Sequence, residues 1–106
     1  MIIVAGHVTV DPDQREAHIA GFVKVVEAAR RADGCLDFTI APDALDPGRV
    51  NLFERWESRE AVSAFRRRAP RPRHRAAMHS MSVAEYDVAG VRPMPGRSTG
   101  EPSGRR

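Results

Sequence analysis

The fold is decided by residues 34–58, which read GCLDFTIAPDALDPGRVNLFERWES. Two runs of alternating apolar side chains, 35–40 and 50–57, flank a loop of prolines, aspartates and a glycine, and this pattern predicts a β-hairpin. Side chains of equal parity share one face of such a hairpin. One face is therefore expected to carry Leu36, Phe38, Ile40, Val50, Leu52, Glu54 and Trp56. The opposite face is expected to carry Cys35, Asp37, Thr39, Asn51, Phe53 and Arg55.

The residues before the hairpin predict a strand and a helix. The strand spans 2–10, IIVAGHVTV, which is rich in β-branched side chains. Asp11 is a suitable N-cap, and Pro12 suits the first helical position. The fixed φ of proline fits a helix, and the N–H that proline lacks has no partner within the helix at this position. Apolar residues then recur at helical spacing up to Gly34, which suits a left-handed C-cap. We expect one helix over 12–32.

The residues after the hairpin predict a second helix and a last strand. Ser58 is expected to cap the helix, which two prolines interrupt. A short helix is predicted to resume over 74–81, followed by a strand over 82–91 that contains spaced apolar residues. The region 92–106 has almost no apolar content and is expected to be a disordered tail after a single domain, 1–91.

The predicted order of elements is β-α-β-β-α-β. Right-handed crossovers convert this order into a four-stranded antiparallel sheet with both helices on one face, a ferredoxin-like split β-α-β fold of the α+β class. The other face would expose Phe53 and Thr39. A mixed face with a large aromatic is typical of a dimer surface, so we expect a homodimer.

Length and composition exclude several classes of protein. The chain has 106 residues, which fits one domain, and its 42% of apolar residues is typical of a globular protein. No apolar run approaches the roughly 20 residues that cross a bilayer, and the first residues do not resemble a signal peptide. Cys35 is the only cysteine, which suits a reducing compartment. We therefore expect a cytoplasmic protein without a membrane partner.

The net charge of +3 does not favour a nucleic-acid partner. It resides in the tail 92–106, which has four arginines and one acid, whereas 1–91 has 13 basic and 13 acidic residues. Six arginines and no acid lie between Arg66 and Arg75, but no aromatic side chain that could stack on bases lies among them. This basic run is expected to be a solvated rim or to capture an anionic substrate.

Three stretches together resemble the antibiotic biosynthesis monooxygenase superfamily: 8–30, VTVDPDQREAHIAGFVKVVEAAR; 33–58, which contains the hairpin; and 59–65, REAVSAF. The resemblance covers about residues 2–90, and its most specific piece is the hairpin with Glu54-Arg55-Trp56 before a capped helix. It implies a dimeric α+β barrel. It also implies oxygenation of a quinol, anthrone or related aromatic polyketide without metal or flavin, in which a deprotonated phenol reacts directly with oxygen. Such chemistry needs a dry cavity, a base and a donor for the developing oxyanion.

The sequence departs from this superfamily at several positions. Phe65 stands where many members have a histidine, and Leu52 stands where anthrone-oxidising members have an asparagine, the nearest amide being Asn51. Ala64 replaces the tryptophan of haem-degrading members, so haem degradation is not expected. These departures favour an alternative function, a non-catalytic small-ligand-binding or accessory dimer. A proton-transfer isomerase is a third reading, because the same cavity would serve it.

Two residues of the second hairpin strand are the main site candidates. Glu54 places a carboxylate on an apolar face, which is costly unless the charge is paired. It is either a base with a raised pKa or a structural partner of an arginine such as Arg49 or Arg59. Trp56 is either a core aromatic or a wall of the substrate cavity, and its indole N–H needs a partner if it is buried.

The four histidines offer further candidates. His7 lies within the first strand and is either a hydrogen-bonded core or interface residue or a catalytic residue. His74 and His79 flank the second helical segment, and either would serve as a general base because histidine titrates near neutrality. His18 is expected to be solvated. The histidines lack metal-ligand spacing, so no metal and no cofactor are expected. The predicted catalytic residues are Glu54, His74 and His7, and the predicted substrate-binding residues are Trp56, Phe65, Asn51 and Leu52.

Overall fold

The computed structural model describes residues 1–96, so most of the predicted tail 92–106 lies outside the described residues. Four strands, a 3₁₀ turn and three α-helices follow one another along this part of the chain. In chain order they are β1 (Ile2–Thr9), the 3₁₀ turn (Pro12–Gln14), α1 (Arg15–Gly21), α2 (Val23–Arg31), β2 (Cys35–Pro42), β3 (Arg49–Trp56), α3 (Arg59–Arg68) and β4 (Ser80–Asp87).

The four strands form one antiparallel sheet in the order β2-β3-β1-β4. The helices pack on one face of it, here called the inner face, which confirms the predicted ferredoxin-like α+β fold. Alternation places every second side chain on that face. The main core is formed by eight buried residues: Ile2, Val4, Val25, Ala29, Phe38, Trp56, Val62 and Phe65. None of the helices in residues 1–96 combines the length and the apolar character that spanning a bilayer requires.

The hairpin between β2 and β3 has the predicted pairing over most of its length, with Phe38 opposite Glu54 and Ile40 opposite Leu52. The register shifts by one residue between Cys35 and Asp37. Such a bulge places two residues opposite one and reverses the alternation on its far side. Leu36 is consequently 42% exposed, and its predicted place on the core face is wrong. Cys35 packs against the core instead.

The single helix predicted over 12–32 is divided. This helical region starts with a 3₁₀ turn, and the α-helix that follows is interrupted at Phe22, where φ is −97° and ψ is 2°. The carbonyl of Gly21 accepts a hydrogen bond from the backbone N–H of Arg73 at 2.9 Å. The backbone of His74 lies so close that a Cβ at Gly21 would come within 2.4 Å of its carbonyl oxygen. A tertiary contact therefore replaces a turn of helix, a break that local helix propensity does not predict.

The stretch between α3 and β4, here called the connecting segment (69–79), contains no helix, so the short helix predicted over 74–81 is wrong. Its backbone amides bond outward to other elements rather than along the chain. Arg73 donates to Gly21, and His79 donates to Thr9 at 2.8 Å. The last strand begins at Ser80 and ends at Asp87 rather than spanning 82–91. By contrast, the Ser58 cap is confirmed, since its Oγ accepts the N–H of Ala61 at 3.1 Å.

The outer face of the sheet carries no helix among the described residues. Phe53 from β3 is 36% exposed and Tyr86 from β4 is 53% exposed on it. The register places them opposite Ala5 and Ile3 of β1 respectively. This face therefore exposes two aromatic side chains among polar neighbours such as Arg55 and His7.

Candidate functional site

A cavity of about 690 Å³ lies between the inner face of the sheet and the helices, and it is open on one side. Its sheet wall is mostly aliphatic and includes Val4, Val8 and Leu52. Gly6 occupies the inner face between Leu52 and Val83 in the register, so no side chain fills the middle of β1 there. The φ of Gly6 is +152°, and a Cβ would come within 1.9 Å of the Ser82 carbonyl oxygen, so only glycine suits this position.

The helices and the connecting segment form the remaining walls of the cavity. Their lining side chains are His18, Phe22, Val25, Phe65, Arg66, Ala69, Arg75 and Met78. The arginine-rich run thus contributes two of its members to the cavity rim. This position agrees with either reading of the run, a solvated rim or a feature that captures an anionic substrate.

Glu54 projects from β3 into this cavity and is only 5% exposed. Trp56 lies two residues further along the same face, and its Nε1–H donates to Glu54 Oε1 at 2.9 Å. Arg66 Nη2 lies 3.6 Å from the same oxygen. Burial raises the pKa of Glu54, because desolvation disfavours the carboxylate, while the bond from Trp56 and the charge of Arg66 oppose the shift. Glu54 is therefore a buried carboxylate that holds its proton more tightly than an ordinary glutamate.

The structural partner of Glu54 is neither of the arginines that the sequence suggested. Arg49 has odd parity in β3 and pairs with Asp43 instead, with 3.5 Å between Nε and Oδ1. Arg59 points from the start of α3 toward β4 and pairs with Glu85. Arg66 reaches Glu54 because it lies two turns into α3, above the end of β3. Arg49 and Arg59 lie nearer to Glu54 in the sequence, but their side chains are engaged with other carboxylates, and the packing of α3 brings Arg66 to Glu54.

Trp56 and Leu52 lie on the inner face with Glu54, as the parity argument predicted, and Phe65 packs against this face from α3. The Trp56 side chain is fully buried, and its ring lies 5.4 Å from the ring of Phe65, measured between centroids. Phe65 and Leu52 line the cavity directly, whereas Trp56 lies behind Glu54 and holds its carboxylate. Trp56 is thus both a core residue and a support for the site.

Three other candidates lie elsewhere. His7 and Asn51 are register partners of odd parity, which places them on the opposite side of the sheet from Glu54. Asn51 there accepts from Arg49 Nε at 2.7 Å and donates to Asp43 Oδ1 at 2.9 Å. His74 is exposed and does not line the cavity, although its neighbour in the chain does. The structure therefore does not bring the predicted catalytic trio together.

His79 contacts an aspartate on the surface of the domain and does not line the cavity. His79 Nε2 lies 2.7 Å from Asp11 Oδ1, and both side chains are more than half exposed. Within residues 1–96 no group of three or more histidine, cysteine, aspartate or glutamate side chains is arranged to hold a metal ion.

His18 is a cavity residue that the sequence reasoning missed. It was expected to be solvated, but it is only 3% exposed and lines the cavity from α1. Its Nδ1 accepts the backbone N–H of Ala76 at 3.1 Å, because the connecting segment folds over it. Burial lowers the pKa of His18, and the nearby His74 and Arg75 add to this effect. The available signal was spacing: His18 shares a helical stripe with Phe22 at i+4 and Val25 at i+7, if the break at Phe22 is ignored.

The sequence profile of the antibiotic biosynthesis monooxygenase family matches residues 1–80. The chain belongs to the antibiotic biosynthesis monooxygenase family. The resemblance noted in the sequence is therefore confirmed. Membership suggests a monooxygenase-like or small-molecule-binding function, and the described cavity is a suitable place for either.

Three relatives of this family member illustrate its similarity to other proteins. An uncharacterized protein of Synechocystis sp. is 33% identical over 61 residues, which make up 58% of this chain but only 42% of that relative. A proposed antibiotic biosynthesis monooxygenase of Nitrosomonas europaea has a TM-score of 0.69 at 19% identity, covering 85% of this chain and 100% of the other. The heme degrader MhuD of Mycobacterium tuberculosis, solved with two hemes in its active site, has a TM-score of 0.61 at 17% identity, covering 88% and 100%. At such identities the two structures support the fold alone.

Among residues 1–96 this family member buries two polar side chains, His18 and Glu54, and both line the same cavity. Burial raises the pKa of Glu54 and lowers the pKa of His18, so the carboxylate becomes a stronger base and the imidazole a weaker one. Paired titratable groups in different environments are typical of sites that move protons. The arrangement is chemically able to bind an apolar ligand away from water and to accept one proton from it.

Proposed function

We propose that the chain oxidises an electron-rich aromatic substrate, a quinol or an anthrone, with molecular oxygen and without metal or flavin. The observation that carries this proposal is the carboxylate of Glu54, which is 5% exposed and faces a largely apolar cavity of about 690 Å³. This volume lies within the range of about 300–1,000 Å³ that is usual for small-molecule sites. Membership of the family supports the same class of reaction.

Glu54 acts in this proposal as the general base. The contacts from Trp56 and Arg66 both go to Oε1, and within residues 1–96 no side chain bonds to Oε2. Oε2 is thus free to take a proton from the substrate. The raised pKa of Glu54 makes its carboxylate a stronger base than that of a solvated glutamate.

The overall reaction is balanced without a further reductant. For an anthrone, Glu54 removes a proton from the ring CH₂ group, and the resulting carbanion passes electrons to O₂ as a carbon–oxygen bond forms. The CH₂ group and O₂ together give a ring carbonyl and one water. The oxygen is reduced by the substrate itself. The aliphatic side chains of the sheet wall, Val4, Val8 and Leu52, would displace water from the face of the bound ring that they contact, which strengthens the electrostatic contacts there.

The alternative functions rest on the lining of the same cavity. Phe65 and Leu52 both line it with apolar groups. This lining favours tight binding of an apolar ligand, the property of a non-catalytic binder or accessory protein. A proton-transfer isomerase would use Glu54 in the same way but would consume no oxygen. Either way, the proposed partner is a small aromatic molecule.

The proposed assembly is a homodimer through the outer face of the sheet, which carries Phe53 and Tyr86. The proposed location is the cytoplasm, a reducing compartment that suits the lone Cys35.

Oxygen consumption on a panel of anthrones and naphthoquinols tests the function. We expect turnover of at least one member, and Glu54→Gln should reduce it by the roughly 10²–10⁴-fold typical of a lost acid–base group. Glu57→Gln is the matched control, since Glu57 follows the same strand but is exposed. Binding without oxygen uptake would favour the accessory role, and equal turnover by Glu54→Gln and wild type would exclude Glu54 as the base.

A further inference from the structure

His18 is a buried polar group that has no role in the proposed proton transfer to Glu54. Its side chain is 3% exposed and lines the cavity from the helical side. Glu54 lines the same cavity from the sheet side. An imidazole at this depth is costly unless both ring nitrogens have partners.

One ring nitrogen of His18 has a partner and the other does not. The backbone N–H of Ala76 donates to Nδ1 at 3.1 Å, so Nδ1 must carry a lone pair. In a neutral imidazole the proton then resides on Nε2, which becomes a donor. Within residues 1–96 the Ala76 amide is the one hydrogen-bond partner of the ring, so Nε2 is left without an acceptor. Packing against Phe22, with 5.0 Å between ring centroids, limits rotation of the ring.

We propose that His18 donates its Nε2–H to an oxygen of the ligand in the cavity, and that the connecting segment fixes this tautomer through the Ala76 amide. This inference rests on the proposed function, because it assigns the oxyanion donor for the same site. The lowered pKa of His18 agrees with a neutral ring, which donates one hydrogen bond without adding a charge.

The arrangement narrows the substrate class. Glu54 approaches the ligand from β3 and His18 approaches it from α1, that is, from opposite layers of the domain. The matching substrate is a planar ketone or phenol whose acidic hydrogen and oxygen lie on opposite sides of one ring. An anthrone meets this condition, since removal of a proton from its CH₂ group places negative charge on the oxygen across the ring. A donor at that oxygen stabilises the charge as it develops.

Nuclear magnetic resonance of the ¹⁵N-labelled protein tests the inference with two probes of nearly equal shape, 9-fluorenone and fluorene. Without a probe, His18 should show the pattern of a neutral ring with the proton on Nε2. Fluorenone, which has a carbonyl oxygen, should shift the Nε2 resonance downfield. Fluorene, which has none, should leave it nearly unchanged while still shifting the resonances of Phe65 and Leu52.

The outcomes separate this inference from the proposed function. A charged ring, a proton on Nδ1, or bound fluorenone with an unchanged Nε2 resonance would overturn the role of His18 and leave Glu54 and the cavity unaffected. Failure of both probes to bind would contradict the proposed function together with this inference. The wild-type measurements decide the matter even if a variant does not fold.

Affinity measurements on variants give a second readout. His18→Leu should weaken fluorenone binding by about threefold to tenfold, the usual effect of losing one neutral hydrogen bond, and should leave fluorene binding unchanged. His18→Gln retains an acceptor for Ala76 and a donor, so its loss should be smaller. His79→Gln is the control, because that imidazole is exposed and contacts Asp11. Equal losses for both probes would indicate a purely structural role for His18 and would refute the proposal.

Discussion

The contact between Trp56 and Glu54 leads to a prediction about stability that also tests the charge at the site. Trp56 is fully buried, and its Nε1–H donates to a carboxylate that is itself 5% exposed. Trp56→Phe retains an aromatic ring against Phe65 but removes this donor. The substitution should therefore destabilise the folded state through two separable losses, one of packing and one of a charge-assisted hydrogen bond.

The size of each loss follows from the hydrogen bond that is removed and from the volume that is left empty. A hydrogen bond to a charged group contributes about 1.5–3 kcal/mol. Phenylalanine is roughly 40 Å³ smaller than tryptophan, and at about 24 cal/mol per Å³ of residual cavity the packing loss is about 1 kcal/mol. Trp56→Phe should thus lower the free energy of unfolding by about 2.5–4 kcal/mol at pH 7. In a Glu54→Gln background the bond is neutral and contributes about 0.5–1.5 kcal/mol, so the same change should cost only about 1.5–2.5 kcal/mol.

Urea unfolding of the four proteins of this double-mutant cycle, followed by far-ultraviolet circular dichroism, measures the coupling directly. Circular dichroism is needed because the two proteins that carry Trp56→Phe lack the only tryptophan of the chain. The expected coupling between Trp56 and Glu54 is about 1–1.5 kcal/mol. Equal losses in both backgrounds would show that the indole does not bond an ionised Glu54, and the account of the site's electrostatics would be refuted.

Three further predictions concern pH, backbone conformation and assembly. Because folding raises the pKa of Glu54, the native state binds more protons between the ordinary glutamate pKa and the raised one. The stability of wild type relative to Glu54→Gln should therefore decline as pH rises through that window, and an increase in urea-unfolding series would contradict it. Gly34→Ala should lower the free energy of unfolding by about 1–3 kcal/mol, since φ is +83° at Gly34 and the new Cβ would lie 2.5 Å from the Cβ of Ala61. Thermal unfolding measures this loss, and the control Gly90→Ala should be nearly neutral because Gly90 has open space around it. Light scattering should give about twice the chain mass of 11.7 kDa, and Phe53→Asp should shift the protein toward monomer; a wild-type monomer would exclude the dimer.

Much of the fold was predictable because it depends on local patterns. The alternation in 50–57, the loop residues of the hairpin and the Ser58 cap each restrict the backbone over a few residues, and the element order then leaves few topologies. The same alternation placed Glu54 and Trp56 on the inner face. Parity is a property of neighbouring residues, so it needs no knowledge of distant contacts.

What could not be predicted depends on contacts between residues far apart in sequence. The bulge at Leu36 reverses the alternation of side chains between the two faces of β2, and no feature of the sequence indicates this bulge. The division of the first helix at Phe22 and the burial of His18 both arise from the connecting segment, which lies more than 50 residues away. Arg66 became the partner of Glu54 for a similar reason, the packing of α3 over the end of β3. Sequence patterns indicate which face a side chain occupies, but not which distant segment will cover it.

The connecting segment also links occupancy of the cavity to local unfolding. It contributes Arg75 and Met78 to the cavity wall, and among the described residues it is held to α1 and β1 by few backbone bonds. Two of its residues, Arg73 and Arg75, are arginines at which trypsin can cleave, whereas Arg71 precedes Pro72, which blocks cleavage. Cleavage there requires the segment to detach, and detachment removes part of the ligand site. A ligand present at about 100 times its Kd should then slow tryptic cleavage by about 100-fold, so limited proteolysis reports which molecules this cavity accepts.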